Sequence, residues 1–564
     1  MVRSTKGRLK NIFIVSLALL LNECANQLPP DGGAVDTTPP TIIEVYPQDG
    51  TTNFNDDYFE LGFSEYVEKR SVKDAIFISP AIEGDLELDW SGKYVRVYFP
   101  DSLQQNKTYV ITIGTDVEDF NNRNKMSETF SFTFSTGPKI DRKVISGRIY
   151  DKKPQGVMLF GYLMQGQEPN PLENKPDYIS QSGIDGIYKL AGLAAGTYRI
   201  FAIRDEFRDL LFHPDQDEIG IPYKDIELSE FDTLYTGVNF ILTSIDTVKP
   251  RLLSASMTDR SHILVNFSEE LDWEFLKAFN FHLIDSTLKK RIQVRYAFKG
   301  NTKASEYVLV PSEISSVENT VYLFSDSIKD KSGNIFYNDF VPLTLSDRID
   351  TTKTGLDKAS PPPGSRYVDF LFPKFTFEFN DAFNIVEVRE GVTFSDTLKK
   401  NVPFEIEFID DASFRITPLK RLDMSKDYVI TIDLSRLKDA SGNYYDSVYQ
   451  YRFKTISGLE FTGVSGRIFE LNEQKNPKIE IRNVENDKIH YSTLISSNGQ
   501  FNFERVLPGK YLLFSFYDLD SNNVYSKGQP FPFKPSEEFS FYRDTLNLRA
   551  RWIETDIRFN FKDK

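Results

Sequence analysis

The stretch Phe130-Ser131-Phe132-Thr133-Phe134-Ser135 constrains the fold most. In an extended chain neighbouring side chains point to opposite faces, so this order puts three rings on one side and three hydroxyls on the other. A helix would scatter them, so the stretch reads as a half-buried strand. Tyr109, Ile111 and Ile113 repeat the pattern, as does Phe375-Thr376-Phe377-Glu378-Phe379. Segments of helical period are nearly missing, with residues 271–279 one short exception. The expected fold class is all-β, in tandem β-sandwich modules.

Internal repeats set the number of modules. Tyr109 and Tyr428, Phe134 and Phe453, and Gly147 and Gly466 are each 319 residues apart. Gly186 and Gly499, Gly196 and Gly509, and Asp205 and Asp518 are each 313 apart. An offset that holds across a module boundary means that a two-module block was duplicated whole, with a loop shortened in the second copy. Between the copies, Val265-Asn266-Phe267-Ser268-Glu269 echoes Leu61-Gly62-Phe63-Ser64-Glu65, and Ser64 and Ser268 are expected to set a turn or cap there. Asp330-Lys331-Ser332-Gly333-Asn334 and Asp439-Ala440-Ser441-Gly442-Asn443 share one turn of positive φ. Residues 41–138, 246–347 and 350–456 thus read as immunoglobulin-like sandwiches of about seven short strands. Residues 142–243 and 460–562 alternate glycine turns with strands and read as small meanders.

At 564 residues the chain needs several cores, and 47 phenylalanines can fill them. A net charge of −15 argues against a nucleic-acid partner, whose phosphates require a basic surface. The one cysteine, Cys24, permits no disulfide within the chain.

Cys24 stands just after a basic start (Arg3, Lys6, Arg8, Lys10) and an apolar run at residues 12–21. That is the layout of an export signal, and the run is far short of the ~20 residues of a spanning helix. Leu21-Asn22-Glu23-Cys24 resembles a bacterial lipobox, with Asn22 and Glu23 where that motif carries small residues. The resemblance implies that residues 1–24 are a lipoprotein signal and that Cys24 is acylated. Residues 25–40, rich in proline and glycine, then form a flexible tether. No acidic run follows Cys24, where Ala25-Asn26-Gln27 stand, so either face of the outer membrane fits.

The tether, Asp36-Thr37-Thr38-Pro39-Pro40, Phe63-Ser64-Glu65 and the Tyr109 strand together resemble Ig-like lipoproteins of the Bacteroidetes, with domains like those of S-layer-type surface proteins. Ser146-Gly147-Arg148-Ile149 and Leu507-Pro508-Gly509-Lys510-Tyr511 resemble transthyretin-like domains of the carboxypeptidase-regulatory kind. This implies location in the cell envelope. It implies function poorly, because such domains serve as spacers, adhesins and accessory modules alike.

Motifs of chemistry are scarce. The four histidines, His213, His262, His282 and His490, fall in three modules, and no hydrolase, zinc-protease or P-loop spacing occurs. The chain is not expected to be an enzyme. Asp518, Asp520 and Asn522 match positions 1, 3 and 5 of a calcium loop, but Asn523 and Gln529 stand where an EF-hand needs Gly and Glu. A looser calcium site and a solvated loop are both open there, and no other cofactor is expected. Asp-Thr pairs in the three linkers make Thr37, Thr247 and Thr351 candidates for O-glycosylation, by resemblance to the signal of exported Bacteroidetes proteins. The leading functional reading is an envelope-anchored, non-enzymatic stalk or protein-interaction scaffold, with the bilayer as partner through Cys24. The alternative is a carbohydrate-binding accessory lipoprotein.

Overall fold

The computed structural model describes residues 35–562 apart from 83, 167, 273–276, 314, 440 and 487. Cys24, the signal segment and most of the tether lie outside the described residues, as do Trp273 and much of the expected helix at 271–279. What is described there is a single 3-10 turn, Ala278–Asn280.

The first module has strands β1 (Ile42–Tyr46), β2 (Tyr58–Phe63), β3 (Ile76–Ser79), β4 (Glu87–Ser91), β5 (Tyr94–Tyr98), β6 (Thr108–Ile113) and β7 (Phe130–Ser135). They form two sheets, β1-β2-β5-β4 and β3-β6-β7. Phe132 and Phe134 are buried and Ser131 is exposed, as alternation demands. Tyr109 stacks on Phe134 with centroids 5.7 Å apart, and its hydroxyl accepts the Gln104 N–H. Residues 356–454 repeat the four-plus-three arrangement. There Tyr428 stacks on Phe453 at 5.6 Å and accepts the Asp423 N–H. The 319-residue repeat is therefore a repeat of core geometry, in which a ring stack and a backbone clip fix the start of one strand.

Residues 252–344 correct the expectation of a third open sandwich. The same strand order is present, but both seams are closed and seven strands form a barrel. Phe281–Asp285 pairs with Lys290–Lys299 at one seam, and Leu252–Met257 runs parallel to Ile335–Thr344 at the other. The cause is strand length. Lys290–Lys299 and Ile335–Thr344 have 10 residues each, whereas β3 and β4 have 4 and 5 and stop short of each other.

Residues 143–244 are not a meander either. Ile187–Leu193 pairs with Lys143–Tyr150, while Gly196–Arg204 pairs with Met158–Leu163 in a different sheet. The chain's return, Leu234–Tyr235 and Phe240–Ile241, pairs in parallel with Lys143–Tyr150. This return explains Gly147, where an added Cβ would sit 1.9 Å from the Val238 carbonyl oxygen. In the copy, Thr462–Phe469 pairs in parallel with Ile553–Asn560, and a Cβ on Gly466 would lie 2.3 Å from the Ile557 oxygen.

The modules do not line up end to end. Specific contacts join the first module to the second, the barrel to the fourth and the fourth to the fifth. Ser79 Oγ accepts the Ile179 N–H and Gln181 Oε1 accepts the Thr115 N–H between the first and second. Phe298 and Val310 of the barrel pack on Ala382 and Ala412 of the fourth module. The Arg505 guanidinium lies over Phe370 and Phe461 and pairs with Asp369, joining the fourth module to the fifth. The fifth then packs back on the second. Tyr150 and Ile241 cover the cluster Phe514, Phe516, Tyr525 and Phe539. Phe533 reaches the outer face of the second module, 6.3 Å from Phe201, with the Arg199 guanidinium 3.5 Å above its ring. Ser536 donates its N–H to the Pro222 carbonyl and its hydroxyl to that of Ile221. A linear stalk is thereby corrected to a folded-back chain. The reason is apolar area on two faces of one strand: Tyr198, Ile200 and Ala202 fill the inner core, while Phe201 and Ile203 belong to an outer cluster that Phe533 covers.

Candidate functional site

Each Ig-type module and the barrel are entered through an aspartate, Asp36, Asp246 or Asp350. Each carboxylate accepts the N–H two residues on, from Thr38, Val248 and Thr352, at 2.9, 3.0 and 2.9 Å. Such a turn is the local preference of Asp, and it bends the linker onto the module. The aspartate's own carbonyl is clipped by Asn124, Asn334 or Asn443. Those asparagines close turns around Asp119, Asp330 and Asp439, whose carboxylates accept their backbone N–H. Ser64 and Ser268 are clasps rather than helix caps, accepting the N–H of Thr41 and Arg251 at 3.0 and 2.8 Å. Asn380 does the same for Gly355 at 2.7 Å. The residue after each clasp, Glu65, Glu269 or Asp381, completes a set of three acids.

The sets differ in charge balance. Asp246, Glu269 and Asp330 offer oxygens within 4.8 Å of one another. Burial, then the charges of Asp246 and Asp330, push the Glu269 carboxyl up to about 7. Glu65 is raised in the same way, by burial and then by Asp119 and Asp36. Asp350, Asp381 and Asp439 are also within 4.8 Å and all buried. Burial and the charges of Asp381 and Asp350 raise Asp439, against the bonds it accepts from Asn443.

This last set has a cation supplied by the preceding barrel. His262 Nδ1 lies 3.0 Å from Asp259 and Nε2 lies 3.1 Å from Asp381. Burial opposes its charge, but hydrogen bonds to Asp259 and Asp381 outweigh it and hold the ring at about 10. With a carboxylate at each nitrogen, both donate, and the ring is an imidazolium. The all-oxygen set at Asp246 is of the type that hard cations take.

In the fifth module Asp518, Asp520 and Glu537 offer oxygens within 4.8 Å of one another, and Asn522 donates to both aspartates, at 3.0 Å in each case. Asn522 Oδ1 is taken by the Val524 N–H at 2.6 Å, and its amide nitrogen donates to Asp520 and Ser526. Glu537 is buried and accepts the Leu519 and Ser526 N–H groups at 2.7 and 2.9 Å. Sequence reasoning missed it because it stands 17 residues from Asp520. Thr37, Thr247 and Thr351 are exposed and lie outside the strands. His213 pairs with Asp209 at 3.0 Å, and His282 stacks on Phe324 at 5.3 Å. Among the described residues none of the histidines bonds a serine or threonine hydroxyl.

Residues 36–136 and 350–455 match the family model described as bacterial Ig-like domain. The comparison with curated proteins gave no match. Among solved structures, the N-terminal part of the bacterial S-layer protein SbsC is 12% identical over 37% of this chain, with a TM-score of 0.17, and the chain spans 44% of it. SbsC domains 1–6 are 9% identical over 91% of this chain and 68% of that one, at TM-score 0.17. Sidekick-1 immunoglobulin domains 1–4 are 11% identical over 74% of this chain and 100% of theirs, at TM-score 0.21. The two Ig-like matches and the nearly all-β architecture stand: this is a protein of tandem Ig-like and related β-modules.

Proposed function

We propose that the chain is a non-enzymatic scaffold of the bacterial envelope, tethered to the outer membrane by an acylated Cys24. The observation that supports it best is where the chemically capable residues are spent. His262 bridges two modules, the acid sets fix linkers, and Arg199 and Arg505 clamp module to module. Such a body holds partners at fixed relative positions, which a string of free modules does not.

Cys24→Ala tests the anchor. The wild-type chain should stay with membranes through a high-salt wash and the variant should be released; a variant that stays would end the lipoprotein reading. Thr37, Thr247 and Thr351 are proposed to carry O-linked sugar, which their exposure supports. Mass spectrometry of protein from its source should find hexose on peptides covering them, and three unmodified peptides would remove the idea.

A further inference from the structure

Folding back creates a cleft of about 1120 Å³ between the second and fifth modules. It is slightly larger than the ~300–1,000 Å³ usual for ligand pockets, and pockets favour such module boundaries. Neither module holds it alone. One wall carries Tyr223 and Tyr235, both half-buried, with hydroxyls 3.4 Å apart. The Lys224 ammonium lies 5.6 and 5.4 Å from the centres of the two rings. The opposite wall is the 3-10 turn Glu473–Lys475, preceded by Asn472, with Gln474 at its middle. Lys475 is pinned there, 3.0 Å from Glu538 and 5.1 Å from the centre of the Tyr517 ring.

The chemistry of the lining selects the ligand class. Lys224, Lys475 and Lys562 face Glu470, Glu473 and Glu538, so the lining has no net charge. A phosphate or a polyanion would need a positive excess and a metal ion a negative one. Asn239, Asn472 and Gln474 line the cleft beside the three glutamates, so a lipid tail would leave amides and carboxylates without partners. Tyrosine rings beside amides, carboxylates and ammonium groups offer an apolar face together with donors and acceptors, which matches a ring bearing many hydroxyls. We infer that this cleft binds a neutral oligosaccharide. The site goes beyond the scaffold reading and does not depend on the anchor.

The test is calorimetry on the full chain with neutral hexasaccharides: β-1,4-glucan, β-1,4-xylan, β-1,4-mannan and α-1,4-glucan. At least one should bind more tightly than about 1 mM. Tyr235→Ala should weaken it at least tenfold. Tyr235 also packs on the second module's core, so Gln474→Trp provides a second variant. Gln474 is exposed, and a bulky ring there narrows the cleft without touching either core. It should weaken binding by a similar factor, while Tyr367→Ala, in an exposed loop of the fourth module, should change nothing. Absence of binding by all four sugars would overturn the assignment. So would binding that survives both cleft variants, or displacement of the sugar only by peptides or sulfated glycans. A membrane-released Cys24→Ala chain should keep the affinity, which separates failure of the cleft from failure of the anchor.

Discussion

Removing one ring should open the folded-back arrangement. Phe533 belongs to a loop of the fifth module and is half-buried against the second, where it meets Phe201 and Arg199. Truncating a fully buried Phe costs about 3–5 kcal/mol, so a half-buried one loses about 2. The cation–π contact adds about 1 kcal/mol, because Arg199 stays paired with Asp225 and Glu168 at 2.7 and 2.8 Å and is not left bare. Together, about 3 kcal/mol shifts the closed-to-open ratio roughly 100-fold. The Ser536 amide reports on this directly, since its N–H donates to Pro222 across the interface at 3.2 Å. In Phe533→Ala, hydrogen exchange at Ser536 should therefore speed up by about two orders of magnitude, with barrel amides at Ile263–Phe267 unchanged. An unchanged Ser536 rate would refute the interface, and an equal rise in the barrel would mean global destabilisation instead.

His262→Gln leaves Asp259 and Asp381 without their cation and should destabilise the joint of barrel and fourth module by about 3 kcal/mol, read by urea unfolding at pH 7. Because the folded-state value of His262 is raised to about 10, its contribution is complete below about 6.5 and is lost as pH climbs toward 10. The variant should remove that alkaline slope. Glu269, raised from 4.5 to about 7, makes the native state the better proton binder between those values, so stability should fall as pH rises through that window. Solvent reaches this carboxyl, so the fall should be about 1–2 kcal/mol, and Glu269→Gln should flatten it. Calcium at ten times its dissociation constant should stabilise the chain by about 1.4 kcal/mol if Asp518, Asp520 and Glu537 bind it. Melting with calcium against EGTA reads this shift, and one that persists in Glu537→Gln would exclude the site.

Sequence by itself determined the strands, the repeat and the cores. Alternation is a local property: Phe130–Ser135 declares its buried face without reference to anything distant. The Tyr109 and Tyr428 stacks follow from the same register, 319 residues apart. Parts of the joints were legible as short echoes, namely the linker aspartates, the Phe-Ser-Glu triplets and the Asp-to-Asn turns. Their convergence was not, because each joint gathers residues from three separate stretches, and His262 reaches Asp381 across 119 positions. Glu537 was invisible for the same reason. Met158–Leu163 is apolar on both faces, and Gly196–Arg204 puts Phe201 and Ile203 on the face opposite Tyr198, Ile200 and Ala202, which a free two-sheet sandwich does not need. That pattern calls for a cover on the outer face but cannot name it. Closure of the barrel depended on strand length beyond the sandwich register, and the return of the fifth module onto the second depended on two distant apolar faces meeting. Both are choices among long-range pairings, and only the tertiary structure makes them.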